Sequence, residues 1–272
     1  MNKSNIGFRH FFKPVQPLIH RQNEIRYEEL LPEPRLADYI YCYWQLKSTE
    51  YKLLSPFSYR VIPDGCIDIF FDVNNSREAR VMGFSNIHTE FLLAPCFNYV
   101  GIRFFPGAFP FVFNLDAAPL TNRDERFDDV VPGAAKALAS FIGEESELEK
   151  LRFLFDKFFL KKIASISNVV DMRFYNAIMT ILKAHGTLNL QSELDTGISP
   201  RQLRRLFEYY VGTSPKMFSK VVRFQYFFQM LTSSQGSSFN KVFLEAGYYD
   251  QPHFNKDFKA FFGLTPTEAL QR

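Results

Sequence analysis

The chain has 272 residues, of which 46% are hydrophobic and 22% charged. With 32 Phe and 13 Tyr, it is excluded from the disordered class, whose members lack apolar surface to bury. Its most apolar stretch, Phe104 to Leu115, carries two prolines and falls short of the ~20 residues a membrane-spanning helix needs. The amino terminus has no apolar core of secretory type, and three cysteines (Cys42, Cys66, Cys96) make no disulfide framework. Both features fit a cytoplasmic protein. The formal net charge of +3 is unevenly spread. Residues 1–160 hold 18 basic and 21 acidic side chains, whereas 161–272 hold 14 and 8. A basic C-terminal third points to a polyanionic partner, a solvated surface being the plainer alternative.

The length suggests two domains, because single cores rarely grow beyond ~250 residues. Residues 1 to about 130 read as strands and turns. Tyr39 to Leu46 is aromatic-rich, as half-buried strands are. Tyr59 to Val73 has the pattern strand, tight turn, strand, with Pro63-Asp64-Gly65 at the turn. Tyr99 to Phe105 is a further strand, stopped by Pro106-Gly107. Strands punctuated this often predict a β-barrel-like domain. From Glu144 the pattern turns helical: Leu148, Leu151, Phe155 and Phe158 recur at spacings of three and four. That stripe is either a dimer seam or a face packed on the β-domain. Lys161 to Ser167 is the expected linker, and everything from Asn168 onward reads helical. The predicted fold is α+β: a β-barrel-like domain with a terminal helix over 1–160, then an all-α domain over 168–272.

The last third contains a repeat. GISPRQLRRLFEYYVGTSP (Gly197–Pro215) and GYYDQPHFNKDFKAFFGLTP (Gly247–Pro266) share a glycine, a cap residue, an early proline, an apolar residue and phenylalanine four apart, and a closing glycine and proline. Ser199 and Asp250 can accept hydrogen bonds from the unpaired N–H groups of the helices that follow. Proline is tolerated in a first turn, where its missing N–H matters least. A shorter helical stretch is expected before each unit, over Leu190–Thr196 and Ser238–Ala246. Together these make two helix-turn-helix units. Between them, Ser214 to Leu231 is apolar almost all round, which predicts a buried connecting helix. Eighteen residues of helix span roughly 27 Å, so such a connector could place two recognition helices about one DNA turn apart, ~34 Å. The first helix exposes Arg201, Gln202, Arg204 and Arg205, and the second Gln251, Asn255, Lys256 and Lys259, with His253 nearby. Arg and Gln read guanine and adenine edges, and Lys and His can hold phosphates.

On these residues, 168–272 resembles the DNA-binding domain of AraC/XylS-type transcription regulators. The resemblance implies seven helices with two helix-turn-helix units joined by a long helix, and a transcription factor acting on promoter DNA and RNA polymerase. It matches Arg201, Arg204 and Arg205 to base- and backbone-reading positions of the first unit, and Gln251, Pro252, Asn255 and Lys256 to those of the second. One departure is Phe227, where many members carry a small residue. The N-terminal part resembles the β-rich leading domain of one AraC-type subgroup through YCYW (Tyr41–Trp44), IPDGCIDIFF (Ile62–Phe71) and GIRFFPGAF (Gly101–Phe109). That implies a domain that senses a small-molecule effector or mediates homodimerisation.

Tyr43, Trp44, Cys66 and Arg103 are candidates to line a small-molecule pocket, since pockets pair apolar walls with a few polar anchors. The alternative is that the aromatics are core and Arg103 forms a structural ion pair. His88 and the three cysteines lack metal-ligand spacing, so no metal and no cofactor is expected. Ser199 reads as a cap, not a nucleophile. An enzyme fused to a helical targeting module would need a catalytic constellation, which the sequence does not display. A DNA-bending protein without sequence preference is a further alternative.

Overall fold

A computed structural model of the chain describes residues 8–17, 25–49, 56–167, 171–190, 192–233 and 239–270. A one-turn helix α1 (Phe8–Phe11) precedes β1 (Ile25–Leu30), β2 (Ile40–Ser48), β3 (Phe57–Val61), β4 (Ile67–Asp72), β5 (Asn75–Met82), β6 (Thr89–Leu93) and β7 (Asn98–Phe104). Then come α2 (Ala108–Phe113), β8 (Asp124–Arg126), α3 (Phe127–Val130), α4 (Pro132–Glu144) and α5 (Leu148–Ala164). Six strands form one antiparallel sheet in the order β1-β2-β7-β4-β5-β8, while β3 and β6 pair as a separate two-stranded ribbon. The α+β class holds, but the sheet does not close into a barrel: β1 and β8 stay its unpaired edges. The chain reverses direction at Pro63-Asp64-Gly65, and β3 and β4 then go to different sheets instead of pairing.

Alternation along β4 sets the two faces of the sheet. Ile67, Ile69 and Phe71 are buried, whereas Phe70 and Asp72 are half-buried and Asp68 keeps only 14% of its side chain exposed. Phe71 stacks on Phe155 of α5 with ring centroids 6.4 Å apart, and Tyr43 tilts against the same ring at 5.4 Å. Leu148, Leu151 and Phe155 are fully covered, and Phe158 lies against Phe141 and Phe159. The stripe on α5 therefore packs on the β part, which takes up the surface a dimer seam would need. The helix also runs on to Ala164, so the first half of the expected linker is helical. Asn168 to Val170 lie outside the described residues.

The helical part holds α6 (Met172–Lys183), α7 (Pro200–Val211), α8 (Pro215–Ser233), α9 (Phe239–Glu245), α10 (Gln251–Phe262) and α11 (Pro266–Leu270). That is six helices among the described residues, not seven. The expected Leu190–Thr196 helix is instead a run of turns, with Gln191 outside the described residues. Side chains there bond to nearby backbone: Asp195 accepts from the Gly197 N–H at 3.0 Å and Glu193 from the Asn189 N–H. Such local bonds compete with helix formation. One apolar core runs continuously from the sheet into these helices.

Candidate nucleic-acid interface and cavity

Both repeat units begin and end as their residues dictate. Ser199 accepts from the Gln202 N–H at 3.3 Å while the Gln202 side-chain oxygen accepts from the Ser199 N–H at 3.2 Å, a reciprocal capping box. Asp250 caps α10 by accepting from the His253 N–H at 2.7 Å. Gly212 and Gly263 close the two helices at φ of 88° and 86°, where any side chain would be strained. The polar faces are left outward. Arg201, Gln202, Arg204 and Arg205 are exposed on α7, as are Gln251, Lys256 and Lys259 on α10, with Asn255 half-exposed. Two of the predicted contacts are already engaged. The Gln202 carbonyl is held by the cap, and Arg204 Nε donates to Glu208 Oε1 at 2.7 Å. His253 turns inward, its Nε2 3.6 Å from Asp257 Oδ2.

Asp257 ties the second unit to the connector. It is buried, and Lys220 Nζ on α8 donates to its Oδ1 at 2.8 Å, with Arg223 Nη2 3.9 Å from Oδ2. Arg223 also lies over the Tyr248 ring at 4.5 Å. One turn further along the connector, on the side that faces α10, Phe227 packs against Phe254 at 4.9 Å and Phe258 at 6.2 Å. The bulky residue that departs from the family pattern is thus fully buried core.

The open face of the sheet and the β3–β6 ribbon enclose a cavity of about 200 Å³. Trp44 and Arg103 line it, but Tyr43 and Cys66 do not. Tyr43 is the strand neighbour of Trp44 and so points to the opposite face, where its hydroxyl donates to Asp156 Oδ1 at 2.9 Å. Cys66 lines a smaller cavity beside Asp64 and Asp68, and burial pushes its thiol well above the ordinary range. At the cavity floor Arg103 forks onto Asp68, with Nε 3.1 Å from Oδ1 and Nη2 2.9 Å from Oδ2. Burial works against the Arg103 cation, but Asp68, Tyr27 and Asp64 outweigh it and hold its pKa above the usual value. Burial dominates at Asp68 and pushes that carboxyl up to about 6 against the pull of Arg103.

Trp44 donates from Nε1 to Asp68 Oδ2 at 3.1 Å and lies across Gly101, its cross-strand partner. A Cβ on Gly101 would come within 2.1 Å of the indole, so only glycine admits the ring there. Sequence reasoning missed the remaining walls, among them Tyr59, Phe70, Asp72, Glu78, Phe91 and Tyr99. The alternation in IDIFFD already placed Asp68, Phe70 and Asp72 on one face, but the ribbon that roofs them joins strands far apart in the chain. Among the described residues, no group of three His, Cys, Asp or Glu side chains is placed to hold a metal.

Residues 195–272, which include both units, match a helix-turn-helix domain family. The C-terminal third is an AraC-type helix-turn-helix domain. Residues 28–126, from within β1 to the end of β8 and including the ribbon, match a domain of unknown function, DUF6597. The chain is similar to the HTH-type transcriptional regulator ArgR of Pseudomonas aeruginosa, 34% identical over 71 residues, or 26% of this chain and 21% of that protein. It is also similar to an uncharacterized HTH-type transcriptional regulator of Haemophilus influenzae, 33% identical over 101 residues, or 36% of this chain and 33% of that protein. The matched regions thus span only a fifth and a third of the lengths of these curated relatives. No solved structure matches the chain. Within the AraC-type domain the expected order of the second unit is present, with α9 leading into α10 through Gly247. In the first unit α7 is preceded by turns.

Proposed function

We propose that the chain is a sequence-specific, DNA-binding transcription regulator whose β part senses a small molecule. The observation that carries this reading is the duplication: two capped helices, each with an outward basic or amide face, both packed on one buried connector. Arg201, Arg205 and Gln251 read base edges, Arg204 contributes once Glu208 releases it, and Lys256 and the helix N-termini hold phosphates. Gln202 and His253 support these helices, Gln202 through the α7 cap and His253 beside Asp257. The reading keeps a β part and a helical part that meet after α5, which ends at Ala164 and not at 160, and it is compatible with contact with RNA polymerase and pairing with a second copy. In-vitro selection from a random duplex library, followed by gel-shift titration, tests it. The selected sequences should bind at least a thousandfold tighter than random DNA, and log affinity should fall steeply with log salt. Equal affinity for selected and random duplexes would make the chain a non-specific binder. Arg205→Ala should cost roughly 1–3 kcal/mol on the selected site.

A further inference from the structure

The cavity on the sheet carries more charge of one sign than its ion pairs account for. Four carboxylates line it, Asp68, Asp72, Glu78 and Asp124, against two guanidiniums, Arg80 and Arg103. Arg103 is taken by Asp68, and Arg80 by Asp124 at 2.7 Å. Asp72 and Glu78 remain. Among the described residues neither makes an ion pair, and Asp72 only accepts from the Asn74 N–H at 2.9 Å. The strand that carries Asp72, β4, lies between those of Tyr99 (β7) and Glu78 (β5), and both carboxylates raise the Tyr99 pKa after burial has done so. Two carboxylates with no ion-pair partner leave this end of the cavity electronegative, which favours a cation there.

The walls suit such a cation. The Trp44 indole lies across Gly101 and is tilted 32° to the Phe70 ring, 6.4 Å away, and both rings line the cavity. Phe70 stands at steep angles to Phe91 and Tyr99, 78° and 70°, so the rings form separate walls instead of one stack. A cation over ring faces is attracted by their quadrupoles, more strongly where water is excluded. At ~30 Å³ per water-sized group, the cavity of about 200 Å³ has room for a handful of heavy atoms.

The roof of the cavity reaches the second DNA-binding unit. Tyr59 and Val61 of β3 line the cavity, and Arg60 between them points outward. Arg60 is gripped by Glu90 of β6 and lies over the Phe262 ring at the end of α10, 5.2 Å from its centroid. At the next turn His88 sits so close to Gly263 that a Cβ there would meet the imidazole at 2.5 Å. On its inner side the ribbon packs in a small apolar cluster, Leu93 with Ile25, Leu46 and Phe97, that is separate from the main core.

We propose that this cavity binds a small organic ammonium ion between the aromatic walls and the Asp72–Glu78 pair, and that the β3–β6 ribbon passes its occupancy to α10. The second half rests on the regulator reading; the first does not. Trp44 is the only tryptophan in the chain, so its fluorescence reports the site directly. The full chain is titrated, without DNA, with choline and tetramethylammonium chloride. Sodium chloride and the neutral carbon isostere of choline serve as controls. Saturable binding of both cations, at least tenfold tighter than the isostere, is expected. Asp72→Asn with Glu78→Gln should weaken the cations at least tenfold while leaving isostere binding and thermal stability in place. No saturation, or equal binding of cation and isostere, overturns the site. DNA affinity is then compared with and without choline. Arg60→Ala should keep choline binding and lose any change in DNA affinity. Choline binding that leaves the parent's measurable DNA affinity unaltered overturns the coupling. A chain that binds choline but no DNA overturns the regulator reading and leaves the site standing.

Discussion

Asp257 and Asp68 are both buried carboxylates beside cations, yet they do opposite things to the fold. Asp257, 4% exposed, faces Lys220, Arg223 and His253. Removing it leaves cations half-buried without a counter-charge, and breaking a buried pair costs roughly 3–5 kcal/mol. Lys220 and Arg223 keep some water, so Asp257→Ala should lower unfolding free energy by about 2–3 kcal/mol in urea titrations. A loss below ~0.5 kcal/mol would mean the network is ordinary surface. At Asp68 the folded chain holds its proton up to about pH 6, whereas the unfolded value is 3.8. Between those values the native state binds the extra proton, so this group's contribution falls as pH rises through the window. Asp68→Asn removes that slope. Its stability relative to the parent should improve as pH rises from 4 to 7. A parent–variant difference that is flat across this range would show that Arg103, and not burial, governs Asp68.

Helices and strands differ in how much of each was legible. The starts and stops of α7 and α10 could be read in the chain because caps and glycines act on the nearest turn. Ser199→Ala should therefore cost about 1 kcal/mol, measured as a shift in the urea midpoint, and more than Ser199→Gly. The Leu190–Thr196 stretch misled because its apolar spacing is helical while the Glu193 and Asp195 side chains accept from nearby backbone N–H groups, those of Asn189 and Gly197. Strand positions were legible, but their partners were not. That β3 joins β6, and that the sheet stays open, depends on pairings thirty residues apart, which no local pattern records. The same holds for the cavity: Trp44 and Arg103 were found as chemistry-bearing residues, whereas Tyr43 was misplaced by one strand position and hence by a whole face. Gly101→Ala tests that geometry. The added methyl must displace the Trp44 indole and break its bond to Asp68, so the emission maximum should shift to the red as the ring meets water. Emission identical to the parent's would place the indole elsewhere.

At the scale of the whole molecule, the sheet and the helix-turn-helix domain share one core, and polar groups stitch the seam. Gln225, at the middle of the connector and 2% exposed, accepts from the Val15 N–H at 2.7 Å and donates to the Pro63 carbonyl at 2.7 Å. The Ala117 N–H donates to the Tyr209 carbonyl at 2.8 Å, and the Thr121 hydroxyl to that of Gly212. The β part therefore grips α7 at its end, the connector at its middle and α10 at its end. Chains built from loosely joined domains melt in separate steps; this one should melt in a single calorimetric transition whose van't Hoff and calorimetric enthalpies agree. Gln225→Leu keeps the volume but strands two backbone groups at the seam, each costing about 1–3 kcal/mol when left unpaired. The variant should lose roughly 2–5 kcal/mol, and the sheet and the helices should lose stability together, because neither half of the core is closed without the other. Two resolved transitions, with only the later one insensitive to Gln225→Leu, would show that the halves fold alone and that the ribbon has no rigid frame through which to act on α10.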